Sequence, residues 1–420
     1  MGLRALFGAL PPRIPYSTGN VPVESLALPP RATLLWGGAS PGDVGVAVGD
    51  SVQTGQNLAR EGSGLFMSTV SGTVEEINSF RGADAVDYAV VGINTVEVDS
   101  YDSSIKSIED LGNAPPEQLL ATIIRAGFPG FDALVQGATV ETLIISALDQ
   151  EPLTAVSPQV LIERANDVSA GIAMLRRATG AKKVVVAIPH NSAHAADGIS
   201  VDLAEIVTVR AVYPNGLPEI LAKNHGAGQV LKTGRNGTVG NTLVVSIEHL
   251  VGMVSCLREG RPFVNKIVTC CGKSGGELKN ILVRIGTPVS MALDNLDVKL
   301  PPGGKLVING PMHGYTCFSD EQPMTATSDS VLVQEPAEVH RFESTACINC
   351  GRCSAVCPEK LEVNLLGRFS EYSIFDKCAD LGVENCIECG LCVYVCPAQR
   401  PLLHLLAHAK LVLEEETAGK

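Results

Sequence analysis

The sequence predicts a multidomain chain of α/β and α+β units that ends in a small, helical, cysteine-rich region. Three observations predict it. Residues 44–74 alternate short apolar runs with Gly-Asp and Thr-Gly turns, residues 141–188 run strand, helix, strand, and the C-terminal part carries one cysteine pattern twice. With 420 residues, 45% of them hydrophobic and 18% charged, the chain is long and apolar enough for three or four folded domains.

Residues 1–110 read as β structure. Val44, Val46 and Val48 alternate toward one face, and Val48–Leu58 and Val70–Val74 are broken by Gly-Asp and Thr-Gly turns, as in a small sandwich. This resembles the barrel-sandwich of lipoyl and biotinyl carrier domains. Those domains carry their cofactor on a hairpin lysine, whereas the first lysine here is Lys106, so the segment is carrier-shaped without an acceptor. From 111 to 200 the period changes. A helix is expected over 117–126, stopped by Gly127; a strand over 141–147; a helix over 158–178 with Leu161, Val168, Ile172 and Leu175 on one face; and a strand over 184–188. Strand, helix and strand in that order give a Rossmann-like α/β domain. Residues 201–333 return to short β runs around one helix at 249–258, a mixed α+β module, and 334–346 form a polar linker. Leu402, Leu403, Leu405, Leu406, Leu411 and Leu413 suggest a final amphipathic helix that covers the cysteine region.

That region, 334–420, holds Cys347-x-x-Cys350-x-x-Cys353-x-x-x-Cys357-Pro and Cys386-x-x-Cys389-x-x-Cys392-x-x-x-Cys396-Pro. This is the spacing of two-cluster ferredoxins, in which the fourth cysteine of each run ligates the other cluster. Three closely spaced thiolates reach three corners of one cube, Gly351 and Gly390 let the backbone turn around it, and the proline directs the last cysteine away. The expected ligands are therefore Cys347, Cys350, Cys353 and Cys396 for one [4Fe–4S] cluster, and Cys386, Cys389, Cys392 and Cys357 for the second. Zinc usually takes two separated Cys-x-x-Cys pairs, which two complete runs do not resemble. Ile348, Val356, Ile387, Val393 and Val395 are expected to keep water off the cubes.

Composition excludes several classes. A formal net charge of −13 argues against nucleic acid as a partner, and the most apolar stretch, 243–257, is too short and too polar to span a membrane. Pro11 and Pro12 interrupt any signal-peptide core, and Leu6 stands where myristoylation needs Ser or Thr, so a cytoplasmic location is expected. Thirteen cysteines less eight ligands leave Cys256, Cys270, Cys271, Cys317 and Cys378, an odd remainder that reads as core thiols; Cys270 and Cys271 should point to opposite faces of a strand.

Taken in order, the Val-Gly-Asp…Gly-Gln run at 48–56, Tyr213-Pro214-x-Gly216, Thr269-x-x-Gly272, Ile285-Gly286-Thr287-Pro288, Gly310-Pro311-Met312-x-Gly314 and the cysteine runs resemble the C subunit of Rnf complexes. These are peripheral iron–sulfur proteins of membrane-bound ferredoxin:NAD oxidoreductases. The resemblance implies a barrel-sandwich, a Rossmann-like flavin domain, a β-grasp (SLBB-like) domain and a ferredoxin domain, placed on the cytoplasmic face of the inner membrane. It implies membrane-bound Rnf-type partners and a soluble redox partner such as ferredoxin.

The resemblance also implies FMN and NADH, held by a Gly-x-Gly-Gly-Ala-Gly-Phe-Pro loop and a Glu-x-Glu-Pro motif. This chain has Ala126-Gly127-Phe128-Pro129-Gly130-Phe131-Asp132-Ala133 and Asp149-Gln150-Glu151-Pro152, and Ser246-Ile247-Glu248-His249 at the family's Asn-Val-x-Thr flavin contact. Glu151 is the cofactor contact that carries over. Fewer glycine amides and an added carboxylate at Asp132 predict weak FMN and NADH binding, as in the related A subunit of the sodium-pumping NADH:quinone reductase. The expected function is an electron-relay subunit. A self-contained NADH-dependent flavoprotein, of the cobalamin-reductase kind, and a ligand-binding docking protein are the alternatives.

Overall fold

A parallel four-stranded sheet occupies the centre. Its order is Thr242–Ser246, Thr142–Ser146, Lys183–Pro189 and Glu205–Val209. The computed structural model describes residues 14–17, 21–82, 86–192, 199, 204–234, 237–272, 276–339 and 343–418. The strands are near-continuous apolar runs, as a sheet covered on both faces requires. On one face Leu143, Ile145, Val184, Val186, Leu243 and Val245 pack against helices Pro116–Arg125, Ser157–Glu163, Ala165–Thr179 and Ile247–Glu259. On the other, Ile144, Val185, Ala187 and Val209 meet Tyr16, Tyr213 and helix Pro218–His225. Gly171 permits the closest helix contact: a Cβ there would stand 2.7 Å from Leu250.

The helix expected over 158–178 is two helices, broken at Arg164, whose side chain reaches Asp167 of the second helix and Ser255 of helix Ile247–Glu259. The α/β unit also runs past residue 200. Its third and fourth strands lie beyond that point, because a parallel strand needs a long crossover and its partner cannot be near in sequence.

Residues 31–95 form an antiparallel sheet, ordered Arg31–Gly37, Asp87–Thr95, Gly72–Arg81 and Ser51–Val52, over a core that includes Leu34, Leu58, Val70, Val74 and Val91. The alternation expected of Val44, Val46 and Val48 does not form a strand. Val44 alone is buried and makes one isolated bridge to Ala59, while Val48 is exposed. Gly45 fits closely under the Ala59 carbonyl and Gly49 turns the chain with φ +95°, so the alternation is local turn geometry.

A mixed six-stranded sheet follows, in the order Tyr315–Cys317, Lys305–Ile308, Ser330–Gln334, Asn265–Cys271, Leu278–Arg284 and Val23–Ser25. Its last strand comes from the N-terminal segment, paired in parallel with 280–282, so this sheet reaches across the boundaries read from sequence. Cys270 packs with Val268, Ile281 and helix Val289–Asn295, whereas Cys271 packs with Val307 and Leu332: opposite faces, both buried. Helices Arg352–Val356, Val363–Glu371, Phe375–Asp380, Leu391–Tyr394 and Leu402–Ala418 make up the C-terminal region. Leu402, Leu406 and Ala409 of the last helix are buried among the cysteines. Among the described residues, no helix is long and apolar enough to cross a membrane.

The mixed sheet is bolted to the antiparallel one by Arg284, which is 8% exposed. Its guanidinium donates to Thr69 O (2.8 Å) and pairs with Asp99 (2.7 Å), which is 13% exposed. Asp99→Ala leaves the guanidinium buried without its counter-charge and should cost about 3 kcal/mol. Urea unfolding should show a smaller loss for the double variant Asp99→Leu/Arg284→Met than for Asp99→Ala alone.

Candidate metal centre

The two cysteine runs fold as two copies of one loop. Asn349 and Glu388 take positive φ (58° and 56°), as do Gly351 and Gly390 (71° and 72°), and each pair occupies equivalent places in the two runs. The left-handed turns wrap the backbone so that the thiols face inward, followed by the short helices at 352 and 391. Chain ends then cross. Cys347, Cys350, Cys353 and Cys396 line one cavity; Cys357, Cys386, Cys389 and Cys392 line another. Every residue singled out from the spacing is thus brought to a cavity with three cysteines of one run and the last of the other.

The donor set fits a cube. Thiols spread around a cavity suit a cluster whose iron corners are separated. Burial pushes the thiols up, Cys353 to about 11 and Cys389 to about 12, so protons must leave when metal binds. Leu402 closes the first cavity and Leu403 and Leu406 the second, as the amphipathic tail predicts. Of the apolar residues expected to shield the site, Val356 is buried and Ile387, Val393 and Val395 are partly buried, but Ile348 is 66% exposed.

The second loop is docked against the parallel sheet. Tyr213 donates its hydroxyl to the Cys389 carbonyl at 2.7 Å, and burial holds that phenol far above its usual range, fixing it as a donor. Lys223 reaches Glu359 and the Pro358 carbonyl, and Lys410 reaches Glu388 and the Cys386 carbonyl. Sequence reasoning singled out Tyr213 only as part of a motif; nothing in its spacing announces a partner 176 residues away.

A third cavity, of about 120 Å³, lies at the carboxyl ends of strands Thr142–Ser146 and Thr242–Ser246, where the strand order reverses. Open α/β sheets bind ligands at such a switch point. Its lining includes Pro129 to Phe131, Asp149, Glu248, His249 and Asp329. The residues there serve the fold. Phe128 is buried and stacks on Phe263 at 4.5 Å, Ser246 caps helix Ile247–Glu259 by accepting from His249 N, and Glu248 and Asp329 both hold the fully buried ammonium of Lys266. Burial acts to lower Lys266, yet the two carboxylates hold it above its usual range. Asp132 begins the short helix Asp132–Val135; its side chain lies outside the described residues. Glu151 does not line this cavity. It is buried and accepts from Met312 N (3.0 Å) and His313 N (2.7 Å), a clasp on the 310–314 turn, where a Cβ on Gly310 would stand 2.5 Å from its carboxylate.

Residues 340–397 match the family model described as "4Fe-4S dicluster domain". Over 328 residues the chain is 28% identical to the C subunit of the ion-translocating oxidoreductase complex of Methanosarcina acetivorans, covering 71% of this chain and 73% of that protein. It is 28% identical over 396 residues to the corresponding C subunit of Vibrio cholerae serotype O1 (strain Classical Ogawa 395), covering 89% and 50%. The chain is homologous to these C subunits. It spans about half the length of the Vibrio relative. A solved chain of an NAD+-reducing [NiFe]-hydrogenase in the H2-reduced state aligns with a TM-score of 0.44 and 15% identity, covering 74% of this chain and 65% of that chain, too loosely to bear on a cofactor.

The switch-point cavity is lined by residues of the 126–133 loop and the 149–152 and 246–249 segments, at which the sequence resemblance implied a flavin, and its lining here does not fit a flavin phosphate. Asp149, Glu248 and Asp329 set carboxylates around it, Pro129 has no N–H to offer, and the buried ammonium of Lys266, which pairs with Glu248 and Asp329, is already shared by those two carboxylates.

Burial pushes Asp149 and Glu151 up to about 7. The folded chain then holds more protons than the unfolded one between about pH 4 and pH 7, so stability falls as pH rises through that window, by at most about 1.4 kcal/mol per unit for each group. Glu151→Gln should lessen the fall in urea midpoint between pH 5 and pH 7. An identical fall in that variant would remove Glu151 from the account.

Proposed function

We propose that the chain is the peripheral iron–sulfur subunit of an Rnf-type ferredoxin:NAD oxidoreductase, relaying single electrons through two [4Fe–4S] clusters. The observation that carries this reading is the crossing of the cysteine runs, which surrounds two separate cavities with four thiols each. Cys347, Cys350, Cys353 and Cys396 would hold one cluster, and Cys357, Cys386, Cys389 and Cys392 the other; a bound cube supplies one-electron redox chemistry. What the protein adds is burial, the carbonyl and loop positions set by Tyr213 and Lys410, and an apolar cover from the last helix. The homology supports membrane-bound Rnf-type partners, a soluble carrier such as ferredoxin, and a peripheral place on the cytoplasmic face. It also supports reading 31–95 as a barrel-sandwich without an acceptor lysine, and the mixed sheet as a β-grasp (SLBB-like) unit. Glu151 is read as a structural clasp.

Anaerobic reconstitution with iron, sulfide and excess FMN, followed by desalting, should leave two clusters and well under stoichiometric flavin. The product alone should not oxidise NADH. Near-stoichiometric FMN together with bleaching of the clusters by NADH would instead favour the self-contained flavoprotein.

Crossed ligation makes a separate prediction. Cys357→Ala should damage the cluster held by Cys386, Cys389 and Cys392, although Cys357 belongs to the first run. Electron paramagnetic resonance of the variant decides it, and damage confined to the Cys347, Cys350 and Cys353 cluster would refute the assignment.

A further inference from the structure

The two runs match position for position, yet their surroundings differ. Cys347, Ile348 and Arg352 are exposed and Cys350 is half-buried, whereas at the equivalent places of the second run Cys386 and Ile387 are half-buried and Leu391 and Cys389 are buried. Gly390 sits so close to the Met312 carbonyl that a Cβ would stand 2.5 Å from it, while nothing lies within 4 Å of the equivalent position at Gly351. Among the described residues, the first loop is the more open of the two to an approaching partner.

Charge separates them as well. Glu359 and Glu388 at the second cavity are each matched by a lysine, Lys223 and Lys410. At the first cavity Arg400 is matched by Glu371, but Arg352 and Arg368 are exposed, line the cavity and make no ion pair among the described residues. Arg352 stands where the second run has Leu391. Tyr372, one helical turn beyond Arg368, is 73% exposed. On a chain of net charge −13, this is a small face of unmatched positive charge with an aliphatic and an aromatic side chain, the composition of a protein interface core.

Resting on the relay reading, we propose that this face, formed by Ile348, Arg352, Arg368 and Tyr372 over the Cys347 quartet, is the docking site of an acidic soluble redox protein. The Cys357, Cys386, Cys389 and Cys392 quartet is then the inner one, turned toward the parallel sheet. Opposite charge on the partner steers the encounter, so the rate of electron arrival depends on salt.

The test is stopped-flow reduction of the iron-loaded full chain by a reduced two-iron plant-type ferredoxin, an acidic carrier, at low and high salt. Wild-type reduction should slow as salt rises, and Arg352→Glu/Arg368→Glu should lower the low-salt second-order rate constant about tenfold and flatten its salt dependence. Arg176→Glu makes one such charge reversal on the exposed side of helix Ala165–Thr179 and should leave the rate unchanged. Arg352→Leu, which gives the first run the residue of the second, should slow reduction without adding negative charge, and serves should the double variant lose iron. An unchanged rate in an iron-replete Arg352 variant, equal slowing by Arg176→Glu, or a wild-type rate insensitive to salt overturns the docking face. An iron-replete wild type that ferredoxin cannot reduce at all sinks the relay reading itself.

Discussion

The parallel sheet is apolar on both faces, and both must be covered. Four helices cover one side, but among the described residues the crossovers leave a single short helix, Pro218–His225, for the other. Val356, Cys389 and Leu391 complete that second cover, together with Tyr16 and Tyr213. The cysteine region is therefore held in place by the same burial that stabilises the sheet, and the Tyr213 hydroxyl satisfies a carbonyl that the packing removes from water. Removing the apolar cover would expose the sheet and unseat the inner loop together.

What was legible in the sequence follows from the range of the interaction. The cysteine spacing encodes a local loop, and the loops stand where the spacing places them, with the fourth cysteine of each run at the other's cavity. The helix stop at Gly127 and the opposite faces of Cys270 and Cys271 are likewise local consequences of backbone geometry. Pairing of Val23–Ser25 with residues 280–282, and of the parallel strands with one another, is set by contacts that no local period records. Val44, Val46 and Val48 show the converse failure: a valid alternation that glycines on either side turn into a bend.

Glu151 carries a structural task. Its carboxylate has two backbone N–H donors from the 310–314 turn, and that turn places the Met312 carbonyl against Gly390. The chain of contacts from Glu151 to Met312 to Gly390 links the α/β unit, the mixed sheet and the inner cysteine loop. Glu151 thus helps to fix the spacing between these three parts of the fold.

The switch-point cavity persists for a related reason. Glu248 receives both the Ile267 N–H and the Lys266 ammonium, and Asp329 shares that ammonium, so the groups that line the cavity also join helix Ile247–Glu259 to strand Asn265–Cys271. Filling the space with apolar side chains would strand buried charge, which is costlier than leaving the cavity open. His249 follows the same logic: burial lowers its imidazole, the neighbouring Lys266 charge acts in the same direction, and a neutral ring can lie edge-on to Phe263 without a counter-ion. A crevice whose topology favours ligands is in this chain walled by charge pairs that join a helix of one sheet to a strand of the other.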